Sequence, residues 1–306
     1  MPISILRRKQ QKKRDESKGR WVGVGLADFH AAHKLGLCNP DTVLWEEGPE
    51  GEPVARHPGL GPFQEKLWEQ NLEMKAAVEE FAAGDPTGIF YVGDLTHGNR
   101  HTEELCAISP DDQMQIGYWD LKPWMALPNI NVVRLFQGTY VHTFGGSSEA
   151  IVTRQLRGDF PTYDIKTVAH GEITVGGVTL DITHHGPSTG GRKWLEGNMP
   201  RYYLRDLMLK EFSLGNEPPQ VVMRAHRHTW IPEERLRMWW QGETYESTLI
   251  LLPAMCGLSA HARNVMQSPF VLTLGCVAME VVGGQVGRVL PLVKLVDIRT
   301  KEIIAL

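Results

Sequence analysis

The sequence predicts an α/β protein whose first half is built from stacked β-α-β units. Short apolar runs alternate there with longer segments of helical periodicity, which is the order that a parallel sheet with crossover helices requires. Polar residues collect directly after the apolar runs, where open α/β sheets place their sites. The second half changes to short apolar runs separated by tight turns, a pattern typical of antiparallel strands.

The first half alternates predicted strands at 21–27, 88–92 and 132–137 with predicted helices at 63–83, at 111–127 and from near Ser147. The first of these helices carries Met74, Val78 and Phe81 at spacings of four and three residues, which is the period of an amphipathic helix. The sequence Gly84-Asp85-Pro86 is expected to end it. Residues 39–62 are rich in Pro, Gly and Glu and predict a long loop.

The second half predicts a hairpin followed by further strands. Residues 172–183 form two alternating runs around Gly176-Gly177, which is a two-residue hairpin turn. A helix is expected at about 200–214, and the apolar run 219–223 reads as a short buried strand. Residues 248–252 and 270–298 predict further antiparallel strands.

Composition and charge are ordinary except at the amino-terminal end. The chain has 306 residues, of which 42% are hydrophobic and 22% charged, and a formal net charge of -4. The first 20 residues hold eight basic and two acidic side chains, so this arm carries +6 and the rest of the chain -10. Such an arm can bind the phosphate backbone of a nucleic acid. The alternative is a solvated tail.

The sequence favours a cytoplasmic location. No apolar segment follows the basic residues, so no secretory signal is expected, and no uncharged apolar run reaches the ~18 residues that span a membrane. The four cysteines lie far apart and form no Cys-x-x-Cys pair. They predict neither a disulfide framework nor a zinc ribbon. Assembly into a homo-oligomer is left open.

Candidate metal ligands follow the predicted strands. His226 and His228 come soon after the run 219–223, and Asp28 and His30 follow the first strand with the same spacing. Residues i and i+2 of a strand point to the same side, so each pair can converge on one region. The loop after the second strand adds further metal or phosphate partners, namely Asp94, His97, Asn99 and His101.

The set as a whole points to two metal ions. Its members are Asp28, His30, Asp94, Thr139, His142, His184, His185, His226 and His228. Two carboxylates with several imidazoles suit Mn²⁺, Fe or Zn²⁺ better than Ca²⁺, which prefers oxygen ligands only. The number of donors exceeds the needs of one tetrahedral ion and fits two ions about 3.5–4 Å apart.

Five blocks of these residues resemble the motifs of the calcineurin-like metallophosphoesterases, and the surrounding sequence looks like phage and prophage members. The family pattern is Asp-x-His, Gly-Asp, Gly-Asn-His-Asp/Glu, a His usually followed by Gly, and Gly-His-x-His, each after a strand. The matching blocks are Asp28-Phe29-His30, Gly93-Asp94, Gly138-Thr139 with His142, His185-Gly186, and Ala225-His226-Arg227-His228. Each block is weak alone, but all five occur in the family's order.

The resemblance implies a fold, a cofactor and a set of ligands. The fold would be a four-layer α/β/β/α sandwich of two mixed β-sheets flanked by helices, forming one catalytic domain over 21–306 after the basic arm at 1–20. Two divalent ions are implied, with Mn²⁺ expected and Fe, Zn²⁺, Ni²⁺ or Mg²⁺ as alternatives. Asp28, His30 and His228 would hold the first ion. Asp94 would bridge the ions. His185 and His226 would hold the second with one ligand from the third block.

The third and fourth blocks leave alternatives open. Thr139 stands where the family has an Asn ligand, so Thr139, a water molecule or Asn99 would complete the second ion's shell. The family's adjacent His lies three positions further on, at His142. In the fourth block, His185 is chosen because Gly follows it. His184 would then contact phosphate or support the ligands, or the two histidines exchange roles.

The activity implied is hydrolysis of phosphoric esters by a hydroxide that bridges the two ions. Phosphodiesters, and also monoesters, would be substrates, with nucleic acid or nucleotides as the expected class. His142 would protonate the leaving oxygen or stabilise charge on the phosphoryl group. The alternative is a catalytically degenerate protein that keeps the fold and binds metal or nucleic acid.

Overall fold

A computed structural model describes residues 19–189, 193–259, 263–264 and 270–302. Within these ranges the chain is a mixed α/β structure with two large mixed sheets, one small two-stranded sheet and four α-helices. The basic arm predicted at 1–20 lies outside the described residues except for Gly19 and Arg20. No helix in the described ranges is both long enough and apolar enough to cross a membrane. The predicted cytoplasmic location stays a prediction.

The elements are labelled in chain order. Strands β1 to β13 are Arg20–Leu26, Leu44–Glu47, Pro53–Arg56, Thr87–Val92, Ile130–Phe136, Asp164–Val168, His170–Val175, Val178–His185, Val221–Ala225, Glu234–Trp240, Glu243–Leu251, Val271–Val282 and Gln285–Asp297. Helices α1 to α4 are Pro62–Ala82, Pro110–Met125, Ser148–Asp159 and Asn198–Leu214. Two short 3₁₀ helices cover Thr102–Glu104 and Lys193–Leu195.

The six-stranded sheet confirms the predicted β-α-β units. Its order is β13-β12-β1-β4-β5-β6. Strands β1, β4, β5 and β6 run parallel, with α1, α2 and α3 as the successive crossovers, while β12 and β13 pair antiparallel at the other side. Because the four parallel strands share one direction, their carboxyl ends and the loops that follow meet at one edge of the sheet.

The five-stranded sheet has the order β10-β11-β9-β8-β7. The predicted hairpin is present as β7 and β8. The strand predicted as antiparallel at 248–252 is the end of β11, which pairs antiparallel with β10 but parallel with β9, so that prediction was only partly right. Strands β8, β9 and β11 run parallel in the centre of the sheet. The carboxyl ends of β8 and β9 therefore lie side by side, and His185 of β8 pairs with Ala225 of β9. This register brings the His184-His185 block next to the His226-x-His228 block.

Three of the four core clusters in the described residues join the large sheets and the helices. Trp21 and Phe90 of the six-stranded sheet share one buried cluster with Met223 of the five-stranded sheet. The strands of the first sheet bury their other face with apolar side chains of α1, α2 and α3, which explains why β1 and β4 are continuously apolar rather than alternating. A third cluster joins Met208 of α4 to Val222 of β9.

The close approach of the two large sheets depends on a glycine in β1. A Cβ at Gly25 would lie 2.7 Å from Cδ2 of Leu252 and 2.9 Å from Sδ of Met223. Both distances are shorter than real carbon contacts, so a side chain here would push the sheets apart. The glycine-spaced run of the first strand is thus explained by packing.

The segment 39–62 differs from the expected loop. It contains a short antiparallel hairpin, β2 and β3, with four residues in each strand. Of the eight strand residues, only Leu44 is buried, so the pattern of the sequence carried no strand signal. The sequence also did not predict β6 or β10. Strand β10 is an edge strand, exposed at alternate positions.

A buried acid supports the loop that follows β4. Glu149, in the first turn of α3, has no exposed surface, and its carboxylate accepts hydrogen bonds from Leu95 N at 3.4 Å and from the Ser148 hydroxyl at 2.8 Å. Burial raises the pKa of Glu149 to about 7. The native state therefore binds this proton more tightly than the unfolded chain does.

This raised pKa predicts a pH-dependent effect of Glu149→Gln. The proton on Glu149 contributes its whole stabilising free energy below pH 4.5, and this contribution is lost as the pH rises through about 7. The measurement is the free energy of unfolding of both proteins, from urea unfolding at pH 5 and pH 8. From the lower to the higher pH, the stability of the variant relative to wild type should rise by about 2–3 kcal/mol. The exposed Glu65 offers the control Glu65→Gln, which should change little. An equal difference at both pH values would contradict the prediction.

Candidate metal centre

The candidate site lies at the carboxyl ends of strands from both large sheets. Main-chain hydrogen bonds join the loops that follow β1 and β4, from Asp28 N to Gly93 O at 3.0 Å and from His30 N to Asp94 O at 3.1 Å. The loop after β9 joins them through its main chain, since His226 N lies 3.3 Å from Oδ2 of Asp28. The first, second and fifth sequence blocks are therefore held together by hydrogen bonds of the backbone.

Five of the predicted ligands have left-handed backbone conformations. The φ angles are 53° at Asp28, 47° at His30, 54° at Asp94, 73° at His226 and 48° at His228. A non-glycine residue in this region costs about 1–2 kcal/mol, and such residues cluster at functional sites where the surrounding structure fixes them. The paired ligands therefore do not converge by extended-strand geometry, as the i, i+2 argument assumed. They are turned inward just beyond the strand ends.

The first ligand group consists of Asp28, His30 and His228. Nε2 of His228 lies 3.2 Å from Oδ1 of Asp28 and 3.1 Å from Nε2 of His30. The remaining separation, His30 Nε2 to Asp28 Oδ1, is 3.9 Å. These are the three residues predicted for the first ion, and their three donor atoms face one another.

This first group fits a cation. Asp28 is fully buried, and its Oδ1 accepts no hydrogen bond from the residues that the structure describes. A buried carboxylate oxygen without a partner is unfavourable. Two imidazole nitrogens at 3.1 Å also need a proton or a cation between them. A divalent ion would satisfy all three atoms.

The second ligand group consists of Asp94, His184 and His226, with Thr139 among them. Nε2 of His184 lies 3.1 Å from Oδ2 of Asp94. The Thr139 hydroxyl lies 3.1 Å from Oδ2 of Asp94, 3.2 Å from Nδ1 of His226 and 3.3 Å from Nε2 of His184. The third sequence block thus contributes the Thr139 hydroxyl to this group.

The structure brings His184, rather than His185, into this second group. His184 is fully buried, and its Nδ1 donates a 2.7 Å hydrogen bond to the carbonyl of Val92. That bond fixes the tautomer and leaves Nε2 as the free donor atom. His185 is exposed, and its ring lies 4.6 Å from the ring of His226. From the sequence, His185 was predicted as the ligand of the second ion, with His184 as the alternative.

Asp28 contacts both groups. Its Oδ1 faces His228 and His30 of the first group and lies 4.0 Å from Nε2 of His184 in the second. The carboxylate of Asp94 has its contacts within the second group, since Oδ1 accepts from Thr139 N and Oδ2 faces His184. The bridging role predicted for Asp94 stays a prediction.

His142 lies beside the first group. Its ring centroid is 4.7 Å from that of His30, and its Nδ1 donates to the carbonyl of His97 at 2.5 Å. Nε2 is therefore the nitrogen available to other groups. A cavity of about 300 Å³ adjoins the site, and its lining includes His30, Arg100, His101, His142 and His228.

Asn99, the alternative ligand of the second block, points elsewhere. Its side-chain amide lies 3.0 Å from the amide nitrogen of Gln113 on α2. It is exposed and does not line the cavity. Of Thr139 and Asn99, only Thr139 lies among the donor atoms of the second group, and its role as a ligand stays a prediction.

Burial keeps most of the imidazoles neutral. Burial and the neighbouring histidines hold the pKa of His30 well below its usual value and lower that of His226 to about 4. Neutral imidazole is the form that binds metal. His184 is the exception: burial opposes its protonation, but the adjacent carboxylate of Asp94 raises the pKa of His184 to about 9. The same pairing keeps the pKa of Asp94 below its usual range, although burial opposes this.

A further cluster of two histidines and a glutamate lies behind the first group and was not predicted from the sequence. His33, His97 and Glu104 have side-chain donor atoms within 4.8 Å of one another. His97 had been predicted as one of four possible metal or phosphate partners in its loop, without a contact to His33 or Glu104. The available signal was the spacing, because His33 follows His30 and His97 follows Asp94 by three positions.

Comparisons with known proteins did not identify a relative. No protein-family model matches the chain, and no curated protein matches it.

Proposed function

We propose that the chain is a dinuclear metal-dependent phosphoesterase that hydrolyses phosphodiester bonds, with nucleic acid or nucleotides as the expected substrate and monoesters as further substrates. The observation that carries the proposal is the pair of buried ligand groups that meet at Asp28, one with His30 and His228 and the other reached through His184. Two adjacent ions beside an open cavity are the usual arrangement for in-line attack on phosphorus.

The packing of the elements supports the same proposal. Helices α1 to α3 cover one face of the six-stranded sheet, the two sheets share a core, and α4 packs on the outer face of the five-stranded sheet. We assign this order to the four-layer α/β/β/α sandwich of the calcineurin-like metallophosphoesterases. In this assignment the ligands come from the strand ends of both central sheets.

The donor sets indicate the class of metal. Asp28, His30 and His228 would hold one ion. In our proposal, Asp94, His184 and His226, with Thr139, would hold the other ion. His185 would then contact phosphate or support the ligands. Mixed imidazole and carboxylate donors suit Mn²⁺, Fe or Zn²⁺, and we propose Mn²⁺. When bound, two such ions supply Lewis acidity that activates water and neutralises charge on phosphate oxygens.

The chain itself supplies proton transfer and orientation. The hydrogen bond from Nδ1 of His142 to the carbonyl of His97 fixes the ring and holds one proton there. A second proton on Nε2 makes the ring an imidazolium, and this proton can pass to the oxygen of the leaving group. Arg100 lines the same cavity, and its guanidinium would pair with phosphate oxygens.

The central test combines metal content with turnover. The full chain, loaded with Mn²⁺ and desalted, is expected to hold about two ions and to hydrolyse bis(p-nitrophenyl) phosphate in a chelator-sensitive reaction. Asp94→Asn should lower kcat by about 10²-fold or more, because it removes a ligand. The exposed Asp111 offers the control Asp111→Asn, which should be unaffected. Less than one ion and no hydrolysis would favour the non-catalytic alternative.

A second prediction separates the adjacent histidines. His184→Gln is expected to lose about one ion per chain and to lower kcat by at least about 10²-fold, because it removes a buried ligand. His185→Gln, one position along the same strand, should keep its metal and lose about 10-fold or less. Metal analysis and circular dichroism of both variants check this. The reverse ranking would restore His185 as the ligand.

A third prediction concerns His142. His142→Gln should keep full metal content but lose about 10²–10⁴-fold in kcat on a nucleotide diester with an alkoxide leaving group. The loss should be much smaller with p-nitrophenolate, which leaves without a proton. The exposed His170 offers the control His170→Gln. An equal loss on both substrates would contradict the role as proton donor.

A further inference from the structure

We propose that His97 and Glu104 form a hydrogen-bonded relay that fixes the tautomer and orientation of His30, and so sets the affinity of the first ligand group for its ion. Glu104 would accept from His97, and His97 would accept from His30. The metal part of this inference rests on the proposed function, because it takes His30 as a ligand. The hydrogen-bond pattern can be tested without metal.

The first step is the contact between His30 and His97. Their Nδ1 atoms lie 3.3 Å apart, and the residues are only 3% and 6% exposed. Since Nε2 of His30 faces Asp28 and His228, its proton must sit on Nδ1 for Nε2 to bind a cation. That Nδ1–H then donates to Nδ1 of His97. Metal-binding histidines commonly donate their other nitrogen in this way.

The second contact of the relay depends on which nitrogen of His97 carries its proton. A neutral imidazole that accepts at Nδ1 carries its proton on Nε2 and needs an acceptor there. The carboxylate of Glu104 belongs to the same cluster of donor atoms as His97 and His33. Its donor atom lies within 4.8 Å of those of both histidines, and as the acid of that cluster it is the acceptor we assign to Nε2–H of His97. A carboxylate behind a histidine makes the ligand in front of it more basic.

The cluster of His33, His97 and Glu104 is better explained by this relay than by an additional metal ion. Nδ1 of His33 accepts a hydrogen bond from Leu35 N at 3.1 Å. Neutral His33 therefore carries its proton on Nε2, which lies 3.8 Å from Oε2 of Glu104. A protonated nitrogen has no lone pair for a cation. In the proposed relay, the N–H groups of His33 and His97 would both face the carboxylate of Glu104.

The main chain of His97 adds a second function. Its carbonyl accepts from Nδ1 of His142, so the same residue orients the proposed proton donor through its backbone and the proposed ligand through its side chain. Substituting the side chain of His97 should leave the carbonyl contact in place. The effect of such variants should therefore appear in metal affinity first.

The test compares two substitutions of His97 in the full chain. His97→Phe keeps a ring but removes the acceptor, and should weaken binding of one Mn²⁺ ion by about 10–100-fold in titration calorimetry. His97→Gln keeps an acceptor oxygen and should recover most of the affinity. Glu104→Gln should weaken the same ion by a smaller factor. The adjacent Glu103, whose side chain is 74% exposed, offers the control Glu103→Gln.

A spectroscopic readout makes the test independent of metal binding. Histidine side-chain ¹⁵N spectra of the metal-free protein should show the proton of His30 on Nδ1 in wild type and His97→Gln, and a mixture of tautomers in His97→Phe. Equal affinity in all variants, or equal weakening in Phe and Gln, would overturn the relay, as would a wild-type His30 protonated on Nε2. If wild type binds no Mn²⁺, the proposed function fails, while the spectra still decide the relay.

Discussion

The buried carboxylate of Asp28 is the interaction on which the site depends. The main-chain N–H of Asp28 donates to the loop after β4, and its carbonyl accepts a 3.2 Å hydrogen bond from Met255 N. Oδ2 of the side chain lies 3.3 Å from His226 N, which follows β9. One residue thus links both large sheets. Oδ1 of the same carboxylate faces three imidazoles. The residue that joins the two sheets is therefore also the one whose buried charge a cation would compensate.

The backbone at this junction stores strain that cation binding can offset. Five candidate ligands adopt left-handed conformations, at a combined cost of about 5–10 kcal/mol if each contributes 1–2. That is comparable with the whole stability of a typical domain. Hydrogen bonds between the strand-end loops, such as His30 N to Asp94 O, hold the conformations in place. Ligands turned inward in advance lose less entropy when an ion binds.

The sequence predicted the parallel units and most of the residues that the structure brings together in the two candidate ligand groups, because both depend on local patterns. It did not resolve His184 from His185, although the information was present. Val178, Leu180 and Ile182 alternate along β8, and the same period of two turns His184 inward. The rule that Gly follows the ligand pointed to His185 instead. The choice between Thr139 and Asn99 could not be made from the sequence, because the contacts of Thr139 with Asp94, His184 and His226 join three separate segments.

In the proposed function, the loop after β4 couples metal binding to proton delivery. Asp94 belongs to the second ligand group, while three positions later His97 contacts His30 through its side chain and His142 through its carbonyl. Glu149 supports the residue between them, through Leu95 N. A displacement of this one loop would disturb a candidate ligand of each proposed ion and the proposed proton donor together. Its anchoring from behind by a buried acid is therefore as much a part of the site as the ligands themselves.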